Sequence, residues 1–383
     1  MQRVLTNKTI LIISPQCWNH VFVSKHHYAL TLAEMGNKVY FLNPIDIANP
    51  NSKEKITIEQ LPENENLFCV NHTLYFPYKL KFHSISIFHW LMYFHIKKIL
   101  KQINKPLDIV WSFDLGNYFP LKMLPAKYKI FHPVDEPLNV TAYKSARGAD
   151  IIFSVTKEIL HRYSSYNINR YVIDHGLSTT FVSTTNIKNE IINNKQIRVG
   201  LSGNHTRTDI DWPILITIIE QSPEIIFEFW GPNSLKKTKG NELNNIQQDL
   251  FIDIIKKLPN VILHGVIGTK DLASELNRMD AFLICYDILK DQSKGTNYHK
   301  ILEYISTGKV IISNNITAYH NKTDLVQMSN ERNNNNSLPS LFKNVINNLE
   351  IYNTPNLQNK RKLFAAENTY LKQIERIEAY IYS

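Results

Sequence analysis

Only three cysteines, Cys17, Cys69 and Cys285, stand among the 383 residues. Their number is odd and none has metal-ligand spacing to another, so no cysteine metal site is expected and a reducing compartment is the simplest setting. No apolar run approaches the length that a membrane span needs. Thr9 to Ile13 is too short for the apolar core of a signal peptide, and Pro15 ends it. No internal repeat period is visible, which excludes a solenoid. No acidic residue occurs from Asn66 to Leu107.

What is present is a globular composition of two-domain size: 43% apolar and 20% charged residues. The formal net charge of +9 is uneven, with 20 Lys/Arg against 13 Asp/Glu in residues 1–178. The acid-free stretch holds Lys79, Lys81, Lys97, Lys98, Lys101 and Lys105, interleaved with Tyr75, Phe76, Tyr78, Phe82, Phe88, Trp90, Tyr93 and Phe94. Basic and aromatic residues at helical spacing suit an anionic membrane surface, here assigned to residues 72–105. A core-packed helix from His83 to Gln102 with solvated lysines is the competing reading. No nucleic-acid recognition motif accompanies the charge, and nucleic acid is not expected as a partner.

Short β-branched runs alternate with amphipathic ones throughout. Strands are expected at Thr9–Ser14, Lys38–Leu42, Leu107–Ser112, Tyr128–His132, Ile151–Ser154 and Tyr171–Ile173. Helices are expected between them at Phe22–Met35, His83–Gln102 and Thr156–Tyr163. After a polar linker, Phe181–Gln196, the pattern restarts with strands at Ile197–Ser202, Ile225–Trp230, Val261–His264, Ala281–Cys285 and Val310–Ser313. Near-continuous apolar strands separated by helices imply parallel sheets covered on both faces. The fold class is therefore α/β: two doubly wound, Rossmann-like domains facing a central cleft. The expected domains are residues 1–180 and 197–360, and a helix in 361–383 is expected to cross back to the first.

Chemistry concentrates where strands end. In Tyr298-His299-Lys300-Ile301-Leu302-Glu303, Lys300 and Glu303 share a helical face, and Gly308 stops the helix. A lysine at a helix start suits phosphate, and a carboxylate one turn later suits a diol such as ribose. The turn at Gly203 and Asn204 would bring backbone N–H groups to a diphosphate, with Arg207 adding a charge-assisted contact. Gly231-Pro232 and His264 end the next two strands and could cover a base; each could equally be an ordinary loop. These residues read as a nucleotide-sugar site.

In the first half, Asp135 lies between Pro133 and Pro137 in a stiffened loop, and Asp114 follows another strand. Sugar transfer with inversion needs a base for the acceptor hydroxyl; Asp135 is the first choice and Asp114 the second. The alternative is that Asp135 caps a helix beginning near Asn139. Trp18, His20, Ser24 and His27 are of sugar-binding types and are assigned to the acceptor. His26 and His27 are adjacent and cannot share a helical face, so no metal is expected. No D-x-D-type acidic cluster is present either, which leaves charge neutralisation to Lys300, Arg207 and backbone dipoles. No cofactor is called for.

With these residues in view, the chain resembles bacterial glycosyltransferases of the two-Rossmann-domain (GT-B) type. It is similar to the teichuronic acid glycosyltransferases and, more distantly, to the xanthan glucuronosyltransferase. The resemblance runs through Val21 to Tyr28, Phe41-Leu42-Asn43-Pro44, Val134-Asp135-Glu136, Asp211-Trp212, Phe229-Trp230-Gly231-Pro232 and Lys300 to Tyr304. It implies that Lys300 contacts the diphosphate, Glu303 the ribose, and that Asp135 is the base. Many retaining relatives place two glutamates eight apart; Gly295 stands eight before Glu303, which tilts the reading toward inversion. The resemblance further implies a UDP- or GDP-sugar donor and a lipid-linked or growing cell-surface glycan acceptor. The place of work would be the cytoplasmic face of the membrane, with peripheral attachment. A nucleotide-sugar hydrolase or epimerase of the same fold, or a non-catalytic nucleotide-sugar-binding subunit, remains the alternative.

Overall fold

The computed structural model describes residues 5–19, 22–137, 139–183, 196–232, 250–291, 295 and 297–382. The chain divides into two compact units: Met1–Gly176 together with Tyr370–Ser383, and Leu177–Thr369. Among the described residues, fourteen strands form two sheets.

In the first unit the strands are β1 (Thr9–Ile13), β2 (Lys38–Leu42), β3 (Ile56–Gln60), β4 (Leu67–His72), β5 (Leu107–Ser112), β6 (Ala126–Phe131), β7 (Ile151–Ser154) and β8 (Asn169–Val172). They lie in the order β3-β4-β2-β1-β5-β6-β7-β8. All neighbours are parallel except β3, which pairs antiparallel with β4. Strand side chains alternate faces, so both faces of a continuous apolar strand must be covered. In β1, Leu11 and Ile13 enter one core and Ile10 and Ile12 the other. Each of these four side chains is at most 1% exposed, and such burial contributes roughly 1.5–3 kcal/mol apiece.

The helix Ile85–Ile103 covers one face. Ser84 accepts from the Ile87 N–H at its start, and Asn104, with φ +49°, ends it. The opposite face is covered by Ser24–Glu34, on which the C-terminal helix Tyr370–Ile381 packs. The tail expected from residue 361 onward is thus divided. Pro355–Ala366 packs within the second unit, where the buried Arg361 donates to the Gly308 carbonyl oxygen at 3.0 Å.

The second unit contains β9 (Arg198–Ser202), β10 (Ile226–Trp230), β11 (Val261–Gly265), β12 (Ala281–Ile284), β13 (Val310–Ser313) and β14 (Val326–Met328). Their order is β11-β10-β9-β12-β13-β14, all parallel. This is the doubly wound order in which the chain reverses its direction of travel between β9 and β12. The helix Trp212–Glu220 starts at Asp211, whose Oδ1 accepts from the Ile214 N–H. The helix Lys300–Ser306 stops before Gly308, whose φ of +81° requires a residue without Cβ. The linker expected at Phe181–Gln196 falls largely outside the described residues.

Candidate nucleotide site

Because β9 and β12 are neighbours with diverging connections, the loops after them leave a crevice that in such sheets receives ligands. Ser202 and Gly203 end β9, and Tyr286 follows β12. The short helix Lys300–Ser306 sets its first residue against both. Lys300 Nζ donates to the Ser202 carbonyl oxygen and to Tyr286 Oη, each at 2.6 Å. Burial works against that charge, but the neighbouring Tyr286 and Tyr304 outweigh it, and the Lys300 pKa lies above its ordinary value. Tyr304, buried and stacked on Phe282, accepts from the Ser202 N–H at 2.6 Å. Tyr286 and the Ser202 carbonyl therefore hold the ammonium at the switch point, and Tyr304 holds Ser202.

The glycines beside it are there for space. Gly203 has φ +132°, and a Cβ on it would stand 2.5 Å from Lys300 Nζ. Gly231, at φ +134°, lies so close to the Gly203 carbonyl that a Cβ would overlap it at 1.8 Å. The strand ends are tied in a row: Gly203 N–H donates to Trp230 O at 2.9 Å and Gly231 N–H to Gly265 O at 2.7 Å. Pro232 accepts from the His205 N–H at 3.0 Å. His205 is buried, which pushes its pKa down to about 3, and its ring stays neutral within hydrogen-bond reach of Trp230 O. The result is a rigid backbone surface with one fixed cation.

Other residues assigned to the donor are engaged within the protein. Arg207 forms a bidentate pair with Asp209 and reaches Asp291 at 3.3 Å, and the bond to Asp209 holds its pKa above the ordinary arginine value. Its charge is thus spent on two carboxylates. Asp291, fully buried, also accepts from the Gly295 N–H at 2.9 Å and from Tyr298 Oη at 2.7 Å. Tyr298, two residues before the start of the lysine helix, is thereby tied to Asp291. His264 is held by Glu228 at 2.7 Å and stacks on Trp230, while Glu228 also pairs with Arg198 at 2.5 Å. Asn204 accepts from Thr206 within its own turn. Glu303 is half-buried with its carboxylate 3.4 Å from His299 Nδ1.

In the first unit, Asp114 sits at the corresponding switch point, after β5. Its carboxylate accepts the N–H groups of Gly116 at 2.6 Å and Tyr118 at 2.9 Å, so it folds its own loop. Burial raises its pKa against these bonds. Asp114 lines a cavity of about 240 Å³ with Ile13, Pro44, Tyr78 and Tyr118.

Asp135 is exposed and accepts no hydrogen bond among the described residues. Asn139, not Asp135, caps the following helix, accepting from the Ala142 N–H at 3.0 Å. The Asp135 charge acts on Lys25, a buried amine whose pKa burial draws down to about 8. Beside it His132 is fully buried, with a pKa pushed down to about 3.

Of the residues assigned to the acceptor, Trp18, Ser24 and His27 form part of the core. Trp18 is 2% exposed, packed on Phe22 and Phe41 with its Nε1 donating to Glu63. Ser24 is buried against His175, and His27 stacks on Tyr370. Aromatic and histidine side chains served here as apolar filling, which residue type alone does not reveal. His20 lies outside the described residues. Sequence reading did not single out Tyr286, which holds Lys300, or Tyr304, which holds Ser202. The strand-end rule applied to Ala281–Ile284 would have found Tyr286. Among the described residues no group of three or more His, Cys, Asp or Glu side chains could hold a metal ion.

No family model matches the chain, and no curated protein matches it by sequence. Solved structures match over nearly its whole length, and the class that the fold defines is GT-B. Sucrose-phosphate synthase from Thermosynechococcus elongatus superposes with a TM-score of 0.70 at 11% identity, covering 97% of this chain and 98% of that one. A glycosyltransferase from Rickettsia africae gives 0.67 at 14% identity, covering 98% of each. HepE of Anabaena, crystallised with UDP and glucose, gives 0.65 at 12%, covering 98% and 100%. At these identities the likeness is one of fold.

Proposed function

We propose that this chain is a glycosyltransferase that moves a sugar from a nucleotide-sugar donor to a lipid-linked or growing cell-surface glycan. The observation that carries the reading is the Lys300 ammonium fixed against the Gly203 turn at the switch point of the second sheet. An immobile cation beside approachable backbone is suited to the negative charge that develops on a departing diphosphate. With charge neutralised in this way, the transfer needs no divalent ion. Glu303, half-buried one turn further on, is suited to a ribose diol. The UDP and UDP-glucose bound by HepE in crystals support a nucleotide sugar as the ligand class.

In the proposed chemistry, Asp135 takes the proton of the acceptor hydroxyl. The oxygen attacks the anomeric carbon, and the bond from that carbon to the diphosphate oxygen breaks, its electron pair leaving with the diphosphate. Configuration at the anomeric carbon inverts. Work on a lipid-linked acceptor would be done at the cytoplasmic face of the membrane by peripheral attachment. No helix among the described residues is long and apolar enough to cross it.

The test is a thermal-shift panel of nucleoside diphosphates and UDP- and GDP-sugars on the wild type and Lys300→Ala. At a hundredfold excess over Kd a ligand of the folded state stabilises it by about 2.7 kcal/mol, a shift of several degrees. One diphosphate raising the midpoint clearly more in the wild type than in Lys300→Ala supports the reading. No shift with any of them overturns it. Donor cleavage that ignores every acceptor would instead indicate a hydrolase or epimerase.

A further inference from the structure

The helix Ile85–Ile103 has two unlike faces. Phe88, Met92, Ile96, Ile99 and Ile103 are buried in the core of the first unit. An ordinary surface helix turns polar residues outward, but this one exposes Ile85, Ile87, Trp90, Tyr93 and Phe94 along its first ten residues. Trp90 and Phe94, one turn apart, pack edge to face at 5.3 Å. Phe82, just before the helix, is 72% exposed. Beyond this apolar band the same outward face becomes basic, with Lys97, Lys98 and Lys101 exposed and Lys79 exposed upstream.

Lys81 belongs elsewhere. Its Nζ donates to Gly116 O at 2.6 Å and lies 3.2 Å from the centre of the Tyr118 ring, inside the first unit.

We propose that this outward face docks on an anionic phospholipid bilayer. Trp90, Phe94 and Phe82 would sit at the boundary between headgroups and acyl chains, with Lys79, Lys97, Lys98 and Lys101 on the lipid phosphates. The Trp90 indole has an apolar body and an N–H that favour that depth, the phenylalanines add apolar area to bury, and lysine stems extend along it while their charges stay in water. Charge decides the occupant. A second copy of the same patch would set lysine against lysine in a stretch without a single acid, whereas an anionic bilayer complements it. The proposal deepens the membrane part of the reading above and is independent of the donor chemistry.

The protein carries its own probe. Of its five tryptophans, Trp18, Trp111, Trp212 and Trp230 are each at most 2% exposed, while Trp90 is 61% exposed. Emission that responds to vesicles therefore reports on Trp90. The experiment is co-sedimentation with vesicles of phosphatidylcholine alone or mixed equally with phosphatidylglycerol, read with tryptophan emission and quenching by brominated lipid. The expected result is binding to the mixed vesicles, a blue shift, and quenching that disappears in Trp90→Phe.

Two further variants keep the test decisive: Phe82→Ser/Phe94→Ser, and the fourfold change of Lys79, Lys97, Lys98 and Lys101 to Ser. Each should weaken binding by about tenfold or more, with the thermal midpoint retained. Wild type remaining in the supernatant, undiminished binding by the lysine variant, or a salt-resistant dimer that Phe94→Ser dissolves would each overturn the proposal. Nucleoside diphosphate shifts measured on the same samples keep that failure distinct from a failure of the glycosyltransferase reading.

Discussion

Lys300 Nζ and Tyr286 Oη stand 2.6 Å apart, joining the start of the lysine helix to the end of β12. The amine has three N–H groups. One goes to Tyr286 and one to Ser202, which leaves one for a ligand oxygen and keeps the stem from sampling other rotamers. Tyr286 is thus a positioning residue for the cation. Tyr286→Phe should weaken nucleoside diphosphate binding by about 1 kcal/mol, the usual worth of such a bond. The same change made in Lys300→Ala should have almost no effect, since the amine it positions is gone. Calorimetric titration of the four proteins closes the cycle. Equal losses in both backgrounds would mean that Tyr286 acts only through the fold.

The two candidate bases should behave oppositely. Asp135 is exposed and accepts no hydrogen bond among the described residues, whereas Asp114 accepts two backbone N–H groups that fold its loop. Asp135→Asn should lower turnover by about 10²–10⁴ while leaving the diphosphate-induced thermal shift intact. Asp114→Ala should lower the unfolding midpoint, by roughly 1–3 kcal/mol of stability for the buried N–H groups left unpaired. Full turnover in Asp135→Asn removes that residue as the base.

Acid should unfold the protein through its buried histidines. Burial pushes His72 down to about 4, and His132 and His205 down to about 3, from an ordinary value of 6.5. In the unfolded chain all three take up protons near 6.5, so below that pH the unfolded state binds more protons than the folded one. Stability is then complete above about pH 6.5 and falls as pH drops, by roughly 1.4 kcal/mol per unit for each histidine until its folded value is reached. Urea unfolding followed from pH 7.5 to 5 should show a steep decline in midpoint. A flat profile would mean that these rings are reached by water.

The sequence by itself determined the fold class. Short β-branched runs such as Ile10 to Ile13 and Val310 to Ile312, bounded by turn residues, fit strands covered on both faces. The apolar face of Ile301, Leu302 and Ile305, with Gly308 after it, defines a helix by local rules alone. The hairpin of β3 and β4 escaped notice because Thr57 and Glu59 on an edge strand interrupt the apolar pattern, and β14 has three residues. The second sheet's site shows where such reading stops. Lys300 and Gly203 were legible as residue types at strand and helix ends; Arg207 was read as a charge-assisted contact to a diphosphate, and its pairing with Asp209 and Asp291 was not legible. Its partner Asp291 lies 84 positions away, and no local pattern encodes that encounter. Tertiary structure likewise turned Trp18, Ser24 and His27 inward and Trp90 outward. Which aromatic fills a core and which faces solvent is decided by the neighbours that folding supplies, because burial depends on the apolar area removed from water and not on local sequence.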